Sequence, residues 1–490
     1  LRPPFDISNR VHNRSRLRFQ VLAVEVEETR TPTFNCLDQD LLMKDAFYNQ
    51  DDSDAGKKRY QSPCEVCVFG VSATGNSIMV RVVGFMPFFY VEITNEISQD
   101  VMRMCVVELR ERFRLGKHQL KLTFVRRKRA YGWVPESLDN PHETRQFTFA
   151  CLEFPNAWVM KMAARTMSET KGLRCLAHLS TPPAISETQV ATSEKFLAVH
   201  RLKAAGWVEI EEERYTVVMP HQRTTMSQFE VMCEVGILRP FDRDMIAPLV
   251  IASVDIEARS SDYRSFPNTN VAGDACIYIG TTFWVYGDTS PRLRVMQVLG
   301  ECDDVASDSD MTVESFATEY DLLVGWRDLI AVRTDPDMIL SYNGTGFDFA
   351  YLAGRMSLLQ KQLPRVTRFP HMGRFLMSAH ELKTRELASA AKGQNELSWF
   401  PQPGRVQLDL FMYVKDSQKL SSYKLDTVAQ QFLGDKATGK VVLDYPGWVA
   451  GLLPAATTCL TRWVKRLAGD DEMVQAALHA AAVACPHEGD

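Results

Sequence analysis

Pro248-Leu249-Val250-Ile251-Ala252-Ser253-Val254-Asp255-Ile256-Glu257 is the stretch from which the fold is read. An unbroken apolar run of this length, closed by acid-x-acid, reads as a strand buried on both faces, the kind that sits inside an α/β sheet. Residues i and i+2 of a strand share a face, so Asp255 and Glu257 project together while Ile256 turns into the opposite core. Paired carboxylates at a strand end form a hard-oxygen half-site of the sort Mg²⁺ or Mn²⁺ prefers. Downstream, residues 275–286 (ACIYIGTTFWVY) read as a second buried strand. Residues 312–332 read as a helix, with Thr312 as N-cap and Phe316, Leu323, Trp326 and Ile330 at helical spacing. Asp335-Pro336-Asp337 ends that helix, Met338–Tyr342 reads as a short strand and Phe347–Leu358 as the helix after it. This alternation is an α/β layout.

A second acid then joins the first two. Ser341-Tyr342-Asn343-Gly344-Thr345-Gly346-Phe347-Asp348 places Asp348 at a helix start, after a strand expected to lie parallel to 248–257. Its glycines allow a sharp turn, and Asp348 is expected to face the crevice at the strand ends.

Together these residues resemble the first two exonuclease motifs of family B DNA polymerases, D-I-E and Y-N-x-x-x-F-D. A third block, Gly404-Arg405-Val406-Gln407-Leu408-Asp409-Leu410 followed by Lys419-Leu420-Ser421-Ser422-Tyr423-Lys424-Leu425, resembles the segment that precedes the family's last exonuclease motif. The phrasing is most similar to delta-type catalytic subunits of eukaryotes and large DNA viruses, from about residue 16 to about 445, with residues 126–133 (RRKRAYGW) and Gly206-Trp207 echoing the family's β-rich N-terminal domain. The resemblance implies α/β plus α+β architecture: a β-rich N-terminal domain over 1–238, a ribonuclease H-like 3′–5′ exonuclease domain over 239–449 and a divergent Ala-rich tail over 450–490. It implies two Mg²⁺ or Mn²⁺ ions held by Asp255, Glu257 and Asp348, one activating water and one stabilising the leaving 3′ oxygen. Asn343, Phe347 and Tyr423 would then contact substrate, Phe347 by base stacking. Asn343 serves equally as a turn cap and Phe347 as core. The implied partners are primer–template DNA with a single-stranded 3′ end, a sliding clamp and accessory polymerase subunits. The implied location is a nuclear or viral/cytoplasmic replication site, with no membrane and no secretion.

The chain departs from the family's pattern in two ways. No Tyr-x-x-x-Asp motif follows Tyr423, and the remaining candidate for a fourth carboxylate is Glu488, in Ala484-Cys485-Pro486-His487-Glu488. A weak or inactive nuclease, or a DNA-binding or subunit-docking module of the same fold, is the expectation for this chain alone. The family's polymerase motifs are also lacking: Tyr286-Gly287-Asp288-Thr289-Ser290 has one Asp instead of two and reads as a turn. Residues 434–441 match a phosphate-binding loop except at Val441, where a hydroxyl is needed, and follow a helix instead of a strand.

The first ~235 residues read as mostly β with some helix. Val66, Val68 and Val71, the turn Thr74-Gly75-Asn76-Ser77, then Ile78, Val80 and Val82 make a hairpin. Asn49–Lys58 reads as an exposed loop, the pattern changes near Arg239-Pro240, and Met473–Cys485 reads as a short helix in the tail. With 45% hydrophobic and 24% charged residues, the 490-residue chain is of globular type, which excludes a disordered or disulfide-dense chain. No apolar run reaches the ~18 residues that span a bilayer. The net charge of −5 hides local asymmetry: residues 103–129 carry ten Lys/Arg against two Glu, and residues 301–321 carry eight Asp/Glu and no base. The first reads as a phosphate-binding face or a solvated one, the second as an acidic loop or a solvated one. Eleven scattered cysteines read mostly as reduced thiols, and Cys64-x-x-Cys67 as two strand thiols in preference to a zinc site. The absent initiator Met and the unpatterned last forty residues are read as both ends being cut from a chain roughly twice as long.

Overall fold

The computed structural model describes residues 1–3, 16–27, 63–129, 134–135, 145–169, 172–262, 264–302, 311–362, 371–376, 382–389 and 393–433. The Asn49–Lys58 segment, the 434–441 segment, the tail with Met473–Cys485, and Glu488 lie outside them. The N-terminal half runs β1 (Leu17–Glu27), β2 (Glu65–Ser72), β3 (Ser77–Val83), β4 (Phe88–Glu92), α1 (Gln99–Phe113), β5 (Lys121–Arg127), β6 (Phe147–Glu153), α2 (Ala157–Ser168), β7 (Ile185–Ser186), α3 (Thr192–His200), β8 (Trp207–Ile210), β9 (Thr216–Val217), β10 (Phe229–Glu234) and β11 (Arg239–Pro240). There follow β12 (Val250–Arg259), β13 (Ala275–Val285), β14 (Leu293–Leu299), β15 (Met311–Phe316), α4 (Glu319–Asp328), β16 (Met338–Ser341), α5 (Asp348–Gln362), β17 (Lys383–Ser389), β18 (Gly393–Trp399), β19 (Val406–Asp409), α6 (Leu410–Ser417) and α7 (Leu425–Leu433).

Three main sheets result. A seven-stranded one has the order β11-β8-β1-β2-β3-β10-β9. The expected β2–β3 hairpin is there, with Val66 opposite Val82 and Val68 opposite Val80, closing on Gly75 at a φ of +87°. The boundary drawn after residue 238 falls just before β11, which still pairs with β8. Between β3 and β10 the chain makes a separate four-stranded sheet, β5-β6-β4-β7. Its β-α-β-β-α-β succession is a split β-α-β unit, with Phe89, Leu152 and Phe154 packed against Leu109 of α1 and Met160 of α2.

The third sheet, β15-β14-β13-β12-β16-β19, holds β12 near its centre, antiparallel to β13 and parallel to β16. Ala252, Val254 and Ile256 face Leu323 and Trp326 of α4 and Phe349 and Leu352 of α5. Leu249 and Ile251 face a second core with Met338, Leu340 and Leu410. Burial of both faces is why this strand lacks alternation.

One expectation is corrected. Residues 311–316 are a strand, parallel to β14 and tied to it by Gln297 Nε2 donating to Glu314 Oε2 at 2.8 Å. Thr312 is therefore an exposed strand residue and caps nothing. The N-cap is Thr318, whose Oγ1 accepts from Asp321 N at 3.1 Å. Leu323 and Trp326 are buried as the helical spacing requires, and Ile330 lies in a π-helical continuation, Leu329–Thr334. The Tyr286–Ser290 segment is the expected turn, with Gly287 at a φ of +98°. No described cysteine is in a disulfide; Cys64 donates to the Phe85 carbonyl and Cys67 is buried. No helix among the described residues is long and apolar enough to cross a membrane.

Candidate active site

Because β16 stops at Ser341 while β12 runs on to Arg259, the far half of β12 faces an open notch. Asp255 stands in that notch, and Asp348, the first residue of α5 and 6% exposed, reaches it from the other side. The two carboxyls face each other across the notch closely enough that each shifts the other's titration. Like charges held this near each other disfavour ionising both. Burial first, then the repulsion of Asp348, pushes the Asp255 carboxyl above its ordinary range. Burial likewise raises Asp348, with Asp409 adding to it. Glu257 shares the strand face, half-buried and raised by burial, and Asp255 feels its charge. Among the described residues no three acid, His or Cys side chains already converge as a metal cluster. The structure thus brings Asp255 and Asp348 together and leaves Glu257 beside them.

Asp409 organises the loop that delivers Asp348. It ends β19 and is buried, where its Oδ1 accepts from Asn343 N at 2.8 Å and, as N-cap of α6, from Phe411 N at 3.0 Å. Its Oδ2 accepts from Thr345 N at 2.9 Å and from the Thr345 hydroxyl. The sharp turn expected of the glycines is made by Asn343, at a φ of +62°, a conformation Asn tolerates better than most residues. Gly346 is needed for close approach instead, since a Cβ there would sit 2.5 Å from Asn343 Oδ1. The sequence pattern predicted no role for Asp409. The signal is an acid directly before the apolar helical run Leu410–Val414, an N-cap position.

Phe347 lies edge-on to Phe266, ring centroids 5.0 Å apart, and is tilted against Tyr351 at 5.4 Å. Phe266, in the β12–β13 connection, is 74% exposed, an aromatic ring left in water beside the notch. Tyr423 is not brought to the carboxylates by its hydroxyl, which donates to the Gln418 carbonyl at 2.9 Å; its own carbonyl accepts from Tyr342 OH.

The basic stretch divides. Arg103 pairs with Asp100, Arg110 and Arg112 donate to backbone carbonyls, Arg127 donates to the Arg126 carbonyl, and Arg129 grips Glu92 at 2.5 and 3.0 Å while lying over the Phe147 ring. Arg114, Lys117, Lys121, Arg126 and Lys128 remain exposed. In the acidic stretch, Glu314 pairs with Arg333 and the buried Glu319 with Arg355, each at 2.6 Å; residues 303–310 lie outside the described ones.

With this geometry in hand, a family model described as "DNA polymerase family B, exonuclease domain" matches residues 184–428. The chain belongs to DNA polymerase family B. This family B chain is 26% identical over 371 residues to a "DNA polymerase" of Paramecium bursaria Chlorella virus NY2A, covering 75% of this chain and 37% of that one. It is 28% identical over 382 residues to the "DNA polymerase delta catalytic subunit" of Bos taurus, covering 75% and 32%. The Schizosaccharomyces pombe subunit of the same name is 26% identical over 412 residues, covering 80% and 34%. The family B chain therefore spans about a third of the length of these relatives. Its fold is similar to the family B DNA polymerase of Pyrobaculum calidifontis, at a TM-score of 0.53 and 15% identity, over 94% of this chain and 50% of that one.

Proposed function

We propose that this chain is the N-terminal and exonuclease portion of a delta-type replicative DNA polymerase, and that its notch is a ribonuclease H-like 3′–5′ exonuclease site. The observation that carries the reading is that Asp255 on β12 and Asp348, which opens the helix after the parallel neighbour β16, converge on one notch. The donor set fits a hard divalent cation: it is all carboxylate oxygen, and the acids Glu257 and Asp409 add further negative charge. Asp255, Glu257 and Asp348 would hold Mg²⁺ or Mn²⁺. When bound, two such ions neutralise the scissile phosphate and favour hydroxide at the attacking water. The chain's own residues do the rest. Asp255 and Asp348 present their carboxylates, any proton on them passing to solvent, Asp409 fixes the loop that aims Asp348, and Phe347 with Phe266 offers unpaired terminal bases an aromatic surface indifferent to sequence. The exposed cations of residues 114–128 would track the DNA backbone, giving affinity that falls steeply with salt. We divide the chain after β11, with the exonuclease region from about residue 248 on.

Turnover by this chain alone is expected to be low, because three carboxylates are in reach and the sequence after Tyr423 carries no Tyr-x-x-x-Asp motif to supply a fourth. That favours a second reading, a DNA-holding or subunit-docking module. Polymerisation, a sliding clamp and accessory subunits belong to the proposed whole and not to this chain. The test is 3′ shortening of an oligonucleotide with a frayed end, in Mg²⁺ and in Mn²⁺. Slow shortening that Asp255→Asn and Asp348→Asn abolish at unchanged DNA affinity is expected. Shortening that persists in both variants would overturn the site; turnover matching an intact polymerase would overturn the low rate.

A further inference from the structure

Cys105 and Cys175 lie 70 residues apart in sequence with their Sγ atoms 3.1 Å apart, closer than non-bonded sulfurs ordinarily sit. We propose that they are a reversible redox modification site, closing to a disulfide that fastens α1 to the one-turn 3₁₀ helix Arg174–Leu176. Cys105 is buried on α1, and Cys175 is half-buried on the turn, so one thiol is accessible and the other waits behind it. The approach is built in. Glu108, one turn along α1 from Cys105, accepts from Arg174 N at 2.7 Å and Cys175 N at 2.9 Å. Arg112, one turn further, donates to the Gly172 carbonyl at 2.7 Å. Leu173 and Leu176 flank the pair and pack in the same core as Leu109 and Phe113. A disulfide needs a sulfur separation of ~2.05 Å, so bond formation from 3.1 Å asks for about 1 Å of approach.

The oxidant is a small-molecule disulfide. Cys175 loses its proton to solvent, and its thiolate attacks one sulfur of the oxidant, expelling one thiolate. Cys105 then loses its proton to the thiolate already expelled, attacks the Cys175 sulfur of this mixed disulfide and expels the second thiolate, which takes up a proton from solvent. Two protein thiols are oxidised and one small disulfide is reduced to two thiols. Burial raises both thiols, Cys105 more than Cys175, which suits Cys175 to the first attack and makes the exchange slow. The link would span β5, β6 and α2, constraining the unfolded chain most where the loop is long.

The test equilibrates the full chain across reduced-to-oxidised glutathione ratios, quenches with acid, alkylates and maps peptides by mass. Expected are a 105–175 linked peptide that saturates and is reversed by dithiothreitol, a thermal midpoint several degrees higher oxidised than reduced, and glutathione retained on Cys175 in Cys105→Ser. Absence of the linked peptide at the most oxidising ratio, or its formation at no higher yield than in a urea-denatured control, overturns the proposal. Both readings come from the unsubstituted chain and stand even where a variant folds poorly.

Discussion

Asp409 shows how one side chain can set a site it does not join. Four donors from two segments converge on its carboxylate, so the loop 343–345 and the start of α6 are fixed by one group. Asp409→Asn keeps an acceptor for Phe411 but turns an amide N–H₂ toward the Thr345 donors. It should cost about 1–3 kcal/mol while leaving the fold intact. Measured 3′ shortening should fall at least tenfold and require more Mn²⁺ to saturate; a variant with wild-type Mn²⁺ dependence would remove Asp409 from the positioning role. Asp255 and Glu257 were legible as neighbours because strand period and acid-x-acid spacing place them on one face, and Asp348 was legible only with the strand–turn–helix that precedes it. Asp409 was not, because an N-cap signal says which helix a side chain begins and nothing about the loop brought against it from 64 residues away. Phe266 was illegible for a plainer reason: a connection has no period to read.

Among the elements, the stretch from 311 to 334 is where pattern and structure part. Leu323 and Trp326 carry a true helical stripe, buried under β12, yet the same stripe extended backward to Phe316 ran into a strand. Phe316 is held against the helix by space and not by helical phase, since a Cβ on Gly325 would lie 2.4 Å from its ring. Parallel pairing with β14 decides the conformation of Met311–Phe316, and no local preference announces a partner strand. The two threonines separate these views. Thr318→Ala should lower stability by about 1 kcal/mol, as loss of an N-cap does. Thr312→Ala, on an exposed strand position, should stay within about 0.5 kcal/mol. Urea titrations of both variants decide, and equal losses would contradict the assignment.

Across the whole molecule, the seven-stranded and six-stranded sheets meet at a buried knot of charge. Arg374 bonds Asp335 at 2.9 Å and Asp337 at 2.7 Å, Arg405 bonds Asp335 at 2.6 Å, and Arg2 reaches both acids while donating to the Gly75 carbonyl of the β2–β3 turn. Phe69 of β2 meets Phe375 edge-on at 5.3 Å beside it. Burial raises the Asp335 carboxyl, but the three guanidinium groups outweigh it and hold it well below the ordinary range. A depressed folded-state pKa gives stability that is present above the unfolded value near ~3.9 and is lost as pH falls through the folded value. Asp335→Asn should therefore cost about 3–5 kcal/mol at pH 7, because it strands buried guanidinium charge. The gap to the unsubstituted chain should close only under more acid conditions than ordinary carboxylates need, as read by denaturant midpoints across pH.

The parallel pairing of β3 with β10 has a consequence for how the chain reaches this state. The outer sheet is left unfinished at Val83 and cannot be completed until Phe229 returns beside Ile78. Bringing those ends together across a loose chain carries a large closure entropy. The intervening β-α-β-β-α-β unit has its own core, so its collapse shortens the distance to be closed. Assembly should thus be hierarchical, the inserted unit forming first and the surrounding sheet zipping around it, with a refolding intermediate protected from hydrogen exchange in α1, β6 and α2 while β10 still exchanges freely.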